Sequence, residues 1–372
     1  MTVEVDRDAL VAGVRSVIDV VAGRCTIPIL ANLLLDVSGG QFTITGADLD
    51  MQAASTIEAS GELSTTVDAQ KLLAAASSFK PGKLTLTPNT GKSGLVLRQG
   101  RGQRTLQTLP AADFPKREPL TNAKAFSIPA ASLSRILDTT HFAQSRDETR
   151  YYLIGSFLHV AADKLKAAAT DGHRLISVEV PLPEGAAGMP DTIVPASATS
   201  HLRKLLAKFE GSVAVEVTAK AMTFTVGATR IITNVVDGTF PDYSRVIPPQ
   251  GAHSLTTVRD ALVEPVAAVT AVINAEGDKF KVRSVAFDLG GADGHLVRSR
   301  DQMGTTASEP LDGDLDGAPI EFGVNAAYFR SVVGAFAEKA RVTINTSGPA
   351  SPLRFTSDKD PDLIGVVMPM RI

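Results

Sequence analysis

Apolar residues recur at helical spacing in three segments of the chain. The segments read VDRDALVAGVRSVIDVV around Leu10, IPAASLSRILDTTHFA around Leu133 and TVRDALVEPVAAVTAVI around Leu262. The spacings between these leucines are 123 and 129 residues. In the first segment Leu10, Val14 and Val17 follow the period of one helix face, which predicts an amphipathic helix packed on a core.

A second set of helical segments follows the first at a similar distance each time. These segments begin at Val67, Val194 and Val324, with spacings of 127 and 130 residues. Between the helices lie alternating, strand-like runs such as KLTLTP, SVAVEVTAKAMTFTV and RVTINTSG. The order helix, strands, helix, strands therefore occurs three times, which is an internal repeat.

Two proline-rich stretches separate the repeats, LPAADFPKREPL and DGTFPDYSRVIPP. They share a Phe-Pro pair, at Phe114-Pro115 and Phe240-Pro241, 126 residues apart. Helix period, strand period and repeat spacing agree on one architecture. We therefore expect an α+β protein with three domains, at residues 1–120, 121–248 and 249–372.

Composition and charge narrow the class of protein. Of the 372 residues 44% are hydrophobic and 21% charged, which suits a globular chain with sizeable cores. The net charge is −3, and the three expected domains carry 12 basic and 12 acidic, 13 and 12, and 12 and 16 side chains. No domain is a basic module, so any nucleic-acid contact has to use a local basic face.

Cysteine content and the chain start point to the cytoplasm. The single cysteine, Cys25, cannot form an internal disulfide or a CxxC site. The opening MTVEVDRDAL is acidic and unlike a signal peptide, and no run of about 18 apolar residues predicts a membrane span.

Several local motifs together resemble one family. They are AGRCTIPILANLLL from Ala22, TLPAADFP from Thr108, RYYLIG from Arg150, ATDGHRL from Ala169, FPDYSRVIP from Phe240 and the chain end VVMPMRI. In this order, across the whole chain, they resemble the bacterial DNA polymerase III beta subunit, the β sliding clamp family. The resemblance implies three repeated DNA-clamp domains per chain and a head-to-tail homodimer. The dimer would be a six-domain ring, with helices lining the hole and sheets outside.

Basic side chains on the helix SATSHLRKLLAKFE have two interpretations. Leu202 and Leu206 follow the apolar face, together with Leu205 and Phe209, and the basic residues fall opposite. That face either is simply solvated or lies toward DNA phosphates, which position a protein without reading sequence. The resemblance implies DNA contacts at Arg24, Lys71, Arg146, Arg150, Tyr151, Tyr152, Arg203, Lys204 and Lys208.

The residues themselves qualify part of what the resemblance implies for DNA binding. The tyrosines 151 and 152 could instead pack at a strand start. The basic residue that the family has just after Val194-Pro195 is replaced here by Ala196-Ser197, so that contact is not carried over.

The segment TDGHRL could be read as a catalytic pair of Asp171 and His173. An Asp-Gly turn before a strand explains it more simply. No GxSxG, HExxH, P-loop or paired-carboxylate motif accompanies it. The absence of these motifs counts against a hydrolase, and the resemblance implies a processivity factor without a catalytic site, metal or cofactor.

The resemblance implies a surface pocket for short linear peptides. The apolar chain end supports it, because such an end either packs or lines an adaptable site, and methionine suits several partners. The implied lining is Leu153, Thr170, Gly172, His173, Arg174, Leu175, Pro241, Arg245, Val246, Phe280, Asn325, Tyr328, Val366, Val367, Met368, Pro369, Met370 and Arg371.

Ring closure would need an interface between two copies. The strand GQRTLQTLP is expected to pair edge to edge with a strand of the partner's third domain, which removes exposed edges. Leu106 matches a family contact, and Val272 and Ile273 would oppose it unless they are helix core. Arg104 stands where relatives can have an aromatic residue.

The function implied is that of a DNA sliding clamp. A ring that encloses double-stranded DNA slides freely and tethers the replicative polymerase, which raises its effective concentration. The implied partners are the DNA polymerase III alpha subunit, the clamp loader delta subunit, and other polymerases and repair proteins that carry short linear motifs. Two alternative functions are left open: a hydrolase, and a protein-interaction scaffold that does not bind DNA.

Overall fold

The computed structural model of the chain describes residues 2–21, 27–89, 93–273 and 283–372. Both predicted sets of repeated helices are present. The first set is α1, α3 and α5, and the second is α2, α4 and α6. Their bounds are α1 Arg7–Val17, α2 Ala69–Ser77, α3 Ala130–Thr140, α4 Ala196–Leu206, α5 Arg259–Ile273 and α6 Ala326–Val333.

The strands fall where the alternating runs predict them, for example KLTLTP as β6. The bounds are β1 Val3–Asp6, β2 Asn32–Ser38, β3 Gln41–Ala47, β4 Met51–Ser60, β5 Leu63–Asp68, β6 Lys83–Pro88, β7 Gly94–Gln99, β8 Gly102–Leu109, β9 Lys124–Pro129, β10 Gly155–Ala161, β11 Lys164–Thr170, β12 Arg174–Pro181, β13 Thr192–Pro195, β14 Ser212–Val217, β15 Ala221–Val226, β16 Thr229–Asn234, β17 His253–Val258, β18 Ser284–Gly291, β19 Gly294–Arg300, β20 Thr306–Pro310, β21 Asp314–Asp316, β22 Ile320–Asn325, β23 Arg341–Thr346, β24 Leu353–Ser357, β25 Leu363–Val367 and β26 Pro369–Met370.

One compact unit comprises Met1–Ser134, Pro183–Pro190 and Ser197–Val235. Its twelve-stranded sheet has the order β1-β6-β7-β8-β5-β2-β3-β4-β16-β15-β14-β9, and β1 also pairs with β4. The long strand β4 pairs with β3 along one edge and with two further strands along the other. Its start pairs with β16, from Met51 to Ser55, and its end pairs with β1. One strand thus joins the first repeat to part of the second.

The other compact unit comprises Arg135–Leu182, Asp191–Ala196 and Val236–Ile372. It holds a nine-stranded sheet, β13-β10-β11-β12-β25-β24-β23-β17-β21, and a five-stranded sheet, β20-β19-β18-β22-β26. The pair β12 and β25 brings a strand of the second repeat beside a strand of the third. The two compact units do not follow the expected division into three domains, which stays a proposal.

The helices bury the faces that their periodicity predicts. Leu10 and Val14 of α1 are fully buried, as is Leu202 of α4, and Leu206 is nearly so. Leu205 and Phe209 are half-buried. The N-terminus of α1 is capped by Asp6, whose carboxylate accepts hydrogen bonds from two backbone N–H groups of the first turn.

The Phe-Pro pairs of the two linkers do the same structural task. Phe114 is buried in a small cluster with Leu34 and Ala47. Phe240 is buried in a larger cluster that includes Leu153 and Val366. Each linker is therefore anchored by its aromatic side chain, which explains why the pair recurs at the repeat distance.

One buried and one half-buried histidine, His201 and His159, predict a loss of stability in acid. Burial lowers the pKa of His201, with Asp19 opposing the shift, and burial also lowers the pKa of His159. In the unfolded chain each histidine returns to its ordinary pKa of about 6.5. The unfolded chain therefore binds protons more readily, so the free energy of unfolding falls as the pH drops below about 6.5.

Urea midpoints at pH 7.5 and 5.5 measure this effect. The chain carrying both His159→Gln and His201→Gln should lose less stability on acidification than the unaltered chain. Equal losses in the two proteins would contradict the prediction.

No helix in the part of the chain that the structure describes is both long and apolar enough for a membrane span.

Candidate functional site

The end of the chain passes from one sheet to another. Val366 and Val367 are buried in β25, opposite Leu175 and Arg174 of β12. The Met368 N–H then donates to the His173 carbonyl at 2.8 Å. The next residues form β26, in which Pro369 lies opposite Val324 and Met370 opposite Gly323 of β22.

The two methionines of this tail remain accessible. Met368 is 36% and Met370 39% exposed, although the backbone on both sides of Met368 and at Met370 itself is held in a sheet. Arg371, the last of the implied pocket residues, is exposed as well. The tail therefore offers flexible apolar side chains on a fixed backbone, which is what an adaptable apolar site requires.

The turn before β12 is built by Asp171. Its Oδ1 accepts from the His173 N–H at 3.0 Å and the Arg174 N–H at 3.1 Å, and its Oδ2 pairs with Arg174 Nε at 3.1 Å. The Thr170 hydroxyl donates to the Arg174 carbonyl at 2.7 Å and accepts from the Gly172 N–H. The carboxylate is thus used to shape a turn, as the Asp-Gly interpretation predicts.

Arg174 connects this turn to α6. Its Nη1 donates to the Ser331 hydroxyl at 2.6 Å, and its guanidinium lies 4.7 Å from the centre of the Tyr328 ring. Phe142 covers the guanidinium from 5.4 Å. The planar cation is therefore fixed by stacking and by hydrogen bonds, so it presents a rigid wall.

Tyr328 and Asn325 stand at the start of α6. The Asn325 side chain accepts from the backbone N–H groups of Ala327 and Tyr328, which caps the helix. The Tyr328 ring stacks on the His173 ring, with centroids 5.8 Å apart and planes 14° apart. His173 is thus paired with an aromatic ring, while Asp171 faces backbone amides.

The loop after Phe240 supplies the remaining implied pocket residues. Phe240 and Tyr243 are buried in one cluster with Leu153, Leu175 and Val366. Pro241, Arg245 and Val246 are exposed on the same loop, and Arg245 pairs with Asp242 at 3.0 Å. The structure therefore brings the buried apolar residues of the implied pocket together in one cluster. Phe280 lies outside the described residues.

Sequence reasoning missed several contributors to this site. Ser331 lies one helical turn after Tyr328, so the helical period could have pointed to it. Phe142 and His159 come from distant segments, and nothing local in the sequence relates them to the pocket. The half-buried aromatic partner Phe157, which stacks on Phe240 with centroids 4.8 Å apart, was missed for the same reason.

Gly172 provides a direct test of this turn. Its φ is +88°, and an added Cβ would lie 2.7 Å from Arg150 Nη1. We expect Gly172→Ala to lower the free energy of unfolding by about 1–2 kcal/mol, since an L-residue is strained at this φ and Arg150 has to move. Gly294 has φ +84° with open space around its Cβ position, so Gly294→Ala isolates the backbone cost. Chemical denaturation that gave equal losses for both variants would argue against the Arg150 contact.

The implied DNA contacts near Arg150 fall on a short 3₁₀ segment, Glu148–Leu153. Arg150 Nε is bound to the Asp147 carboxylate at 2.9 Å. Hydrogen bonds from the side chain and the backbone of Thr149 lower the pKa of Asp147. Tyr151 is 53% exposed, whereas Tyr152 is half-buried against the cluster of Leu153. The packing alternative thus applies to Tyr152, and Tyr151 stays available, as does the exposed Arg146.

In the other unit the implied cations fall on α2 and α4. Lys71 is exposed in the first turn of α2, and Lys208 is exposed after α4 ends. Lys204 forms an ion pair with Asp19 at 2.9 Å, and both side chains are largely exposed. Such a surface pair contributes little to stability, so a phosphate can compete for the lysine. Arg203 is half-buried on the same helix, and Arg24 lies outside the described residues.

The strand expected at the interface, β8, has an open edge. Its residues 102–107 pair with β7, and on the other side, within the described part of the chain, only Thr108 and Leu109 pair with β5. Leu106 is half-buried, and Arg104 lies over the Phe79 ring at 4.7 Å. On α5, Val272 is 55% exposed while Ile273 is 7% exposed, so the core alternative applies to Ile273.

Comparison with known proteins identifies the family. Models of the DNA polymerase III beta subunit match its N-terminal domain to residues 1–118 and its central domain to residues 127–242. The Beta sliding clamp of Caulobacter vibrioides is 35% identical over 382 residues, covering 100% of both chains. The chain belongs to the DNA polymerase III beta subunit, or β sliding clamp, family. The Beta sliding clamp of Escherichia coli is 30% identical, with 100% of both chains covered.

Solved structures of this family share the fold over the full length. The DNA polymerase sliding clamp from Caulobacter crescentus has a TM-score of 0.93 at 33% identity, and a sliding clamp from Bartonella birtlesii bound to griselimycin has 0.94 at 30%. Each match covers 100% of both chains. The expected α+β sliding clamp fold is confirmed. The β sliding clamp is a processivity factor and not an enzyme, so the hydrolase alternative is set aside.

Proposed function

We propose that two copies of this chain close head to tail into a ring around double-stranded DNA in the cytoplasm. The ring would hold six domains, three from each chain, with the boundaries expected at residues 120 and 248. The observation that supports it most is the open edge of β8 within a fold that matches sliding clamps over its whole length. An open edge of this kind is normally covered, and a second copy covers it symmetrically.

The partner strand that fits β8 best is β20. It ends the five-stranded sheet, where it pairs with β19. The hairpin of β7 and β8 carries Arg98, Arg101 and Arg104, whereas β20 carries Glu309. Opposite charges on the two edges favour a head-to-tail arrangement over pairing of like edges.

Enclosure of DNA needs only weak phosphate contacts. We propose that the DNA contacts are made in one unit by Lys71, Arg203, Lys204 and Lys208. In the other unit they are made by Arg146, Arg150, Tyr151 and Tyr152, and Arg24 is a further contact. Contacts of flexible cations with phosphates carry no sequence information. The complex can therefore slide while topology retains it.

The cluster at the chain end is proposed as the tether. Apolar anchors of a short linear peptide would enter between the methionines of the tail, the Arg174 wall and the loop from Phe240 to Val246. The partners would be the DNA polymerase III alpha subunit, the clamp loader delta subunit, and other polymerases and repair proteins. Structures of two related clamps contain bound griselimycin. We propose that this compound binds to the chain-end cluster of the present chain.

The decisive experiment combines a measurement of the protein's mass in solution with a comparison of its retention on circular and linear DNA. Light scattering should give twice the chain mass of 39.0 kDa. After a clamp loader places the protein on nicked circular DNA, it should stay bound through gel filtration and leave when one cut makes the circle linear. A monomer, or equal retention on circular and linear DNA, would overturn the proposal. A dimer that never stays on circular DNA would instead indicate an interaction scaffold.

A further inference from the structure

The loop from Phe240 to Val246 is held to its unit mainly by two buried aromatic side chains. Its backbone hydrogen bonds from Arg245 to Asp242, at 3.4 Å, and from Val246 to Tyr243, at 3.0 Å, close within the loop itself. Phe240 and Tyr243 are 7% and 9% exposed. A wall of the pocket therefore depends on where these two rings are fixed.

Tyr243 is the buried residue of the loop that also carries a polar group. Its hydroxyl lies 2.9 Å from His159 Nε2, and the two are hydrogen-bonded. A buried hydroxyl needs such a partner, because leaving it unpaired is costly. His159 is on β10, whose pairing with β11 and β13 makes it a rigid base for the loop.

The rings around this hydrogen bond form a continuous stack. His159 stacks on Phe157 with centroids 4.9 Å apart, and Phe157 stacks on Phe240 with planes only 3° apart. Tyr243 meets both Phe157 and Phe240 edge to face at 6.4 Å. Both buried anchors of the loop thus contact Phe157, and Tyr243 also contacts the His159 ring.

We propose that the hydrogen bond between His159 and Tyr243 positions the loop Phe240–Val246, and thereby sets the affinity of the peptide pocket. This inference rests on the proposed function of the pocket. His159 and Tyr243 are positioning residues, since neither is among the exposed side chains of the loop. The bound conformation is prepared in advance, so a ligand need not order the loop itself.

The charges around His159 are consistent with a neutral ring. Burial lowers its pKa, and Lys166 on β11 acts in the same direction, while Asp191 opposes them. Lys166 is itself paired with Glu179 at 3.0 Å. A neutral imidazole can share one hydrogen with the tyrosine hydroxyl without carrying charge into the aromatic stack.

The test is a double-mutant cycle with labelled griselimycin on the dimeric protein. His159→Phe keeps the ring stack and removes the hydrogen bond, and Tyr243→Phe removes only the hydroxyl. Each should weaken binding about 3- to 10-fold, and the double variant should be no weaker than the poorer single variant. Tyr243→Phe that binds like the unaltered protein, or losses that multiply in the double variant, would overturn the inference.

A matched control separates positioning from stability. Thr256 and Thr343 form another side-chain hydroxyl hydrogen bond, at 2.9 Å, in the same unit between β17 and β23, strands that carry none of the implied pocket residues. Thr256→Val should lower the unfolding midpoint and leave the affinity for griselimycin unchanged. An equal loss of affinity in this control would show that general destabilisation is enough, against the inference. Failure of the unaltered protein to bind griselimycin would instead count against the proposed pocket.

Discussion

Replacing Leu106 with lysine should convert the proposed dimer into monomers of 39.0 kDa. Leu106 is a half-buried side chain on the open strand β8, and the replacement puts an ammonium group into an apolar contact. Losing the contact of the exposed half of the leucine and desolvating an ammonium group in its place together cost about 2–3 kcal/mol. Because a ring has two such interfaces, the total of about 5 kcal/mol corresponds to an increase of about 5,000-fold in the dissociation constant.

Light scattering at micromolar protein concentration measures this change directly, and retention on circular DNA should be lost together with the dimer. The control is Leu49→Lys, since Leu49 is 73% exposed in the turn between β3 and β4. The control should remain dimeric. A dimeric Leu106→Lys protein that stays on circular DNA would show that β8 is not the interface.

Met370→Asp should weaken griselimycin binding about 10- to 100-fold without affecting the dimer. The side chain is accessible on β26, and an aspartate there replaces an apolar anchor surface with a charge that a bound ligand would desolvate. Fluorescence polarisation of a labelled ligand measures the loss. Light scattering should still give the mass of the dimer, because the replaced side chain is not on the open strand β8.

Two further variants control this result. Met303→Asp makes the same change at a methionine that is 88% exposed in the turn between β19 and β20, and it should bind normally. Val246→Asp changes the loop that is proposed to line the pocket, where Val246 is 46% exposed, and should weaken binding like Met370→Asp. Normal binding by both Met370→Asp and Val246→Asp would place the griselimycin site elsewhere.

Much of the fold could be predicted because its signals are local and repeated. The helix faces of Leu10 and Leu202 follow from period alone, and a strand such as β6 follows from alternation between turns. The turn at Asp171 was also predictable, since the Asp-Gly pair has its own backbone preference. Three copies of the same order reinforced each of these signals.

The site was less accessible to sequence reasoning, because its contacts join distant segments. The stack of Arg174 on Phe142 and its hydrogen bond to Ser331 have no signature in either segment. The ion pair of Lys204 with Asp19 spans 185 residues, so spacing on one helix could not indicate it. The sequence predicted that Tyr151 and Tyr152 belong together, but not that one is exposed and the other packed.

The passage of the tail from β25 to β26 affects how the protein should be handled in the laboratory. Ile372 follows the accessible Met370 by two residues and is itself 67% exposed. A purification tag fused to this end would start directly beside the proposed ligand site and could imitate an inhibitor. Binding assays should therefore use protein from which any carboxy-terminal extension has been cleaved.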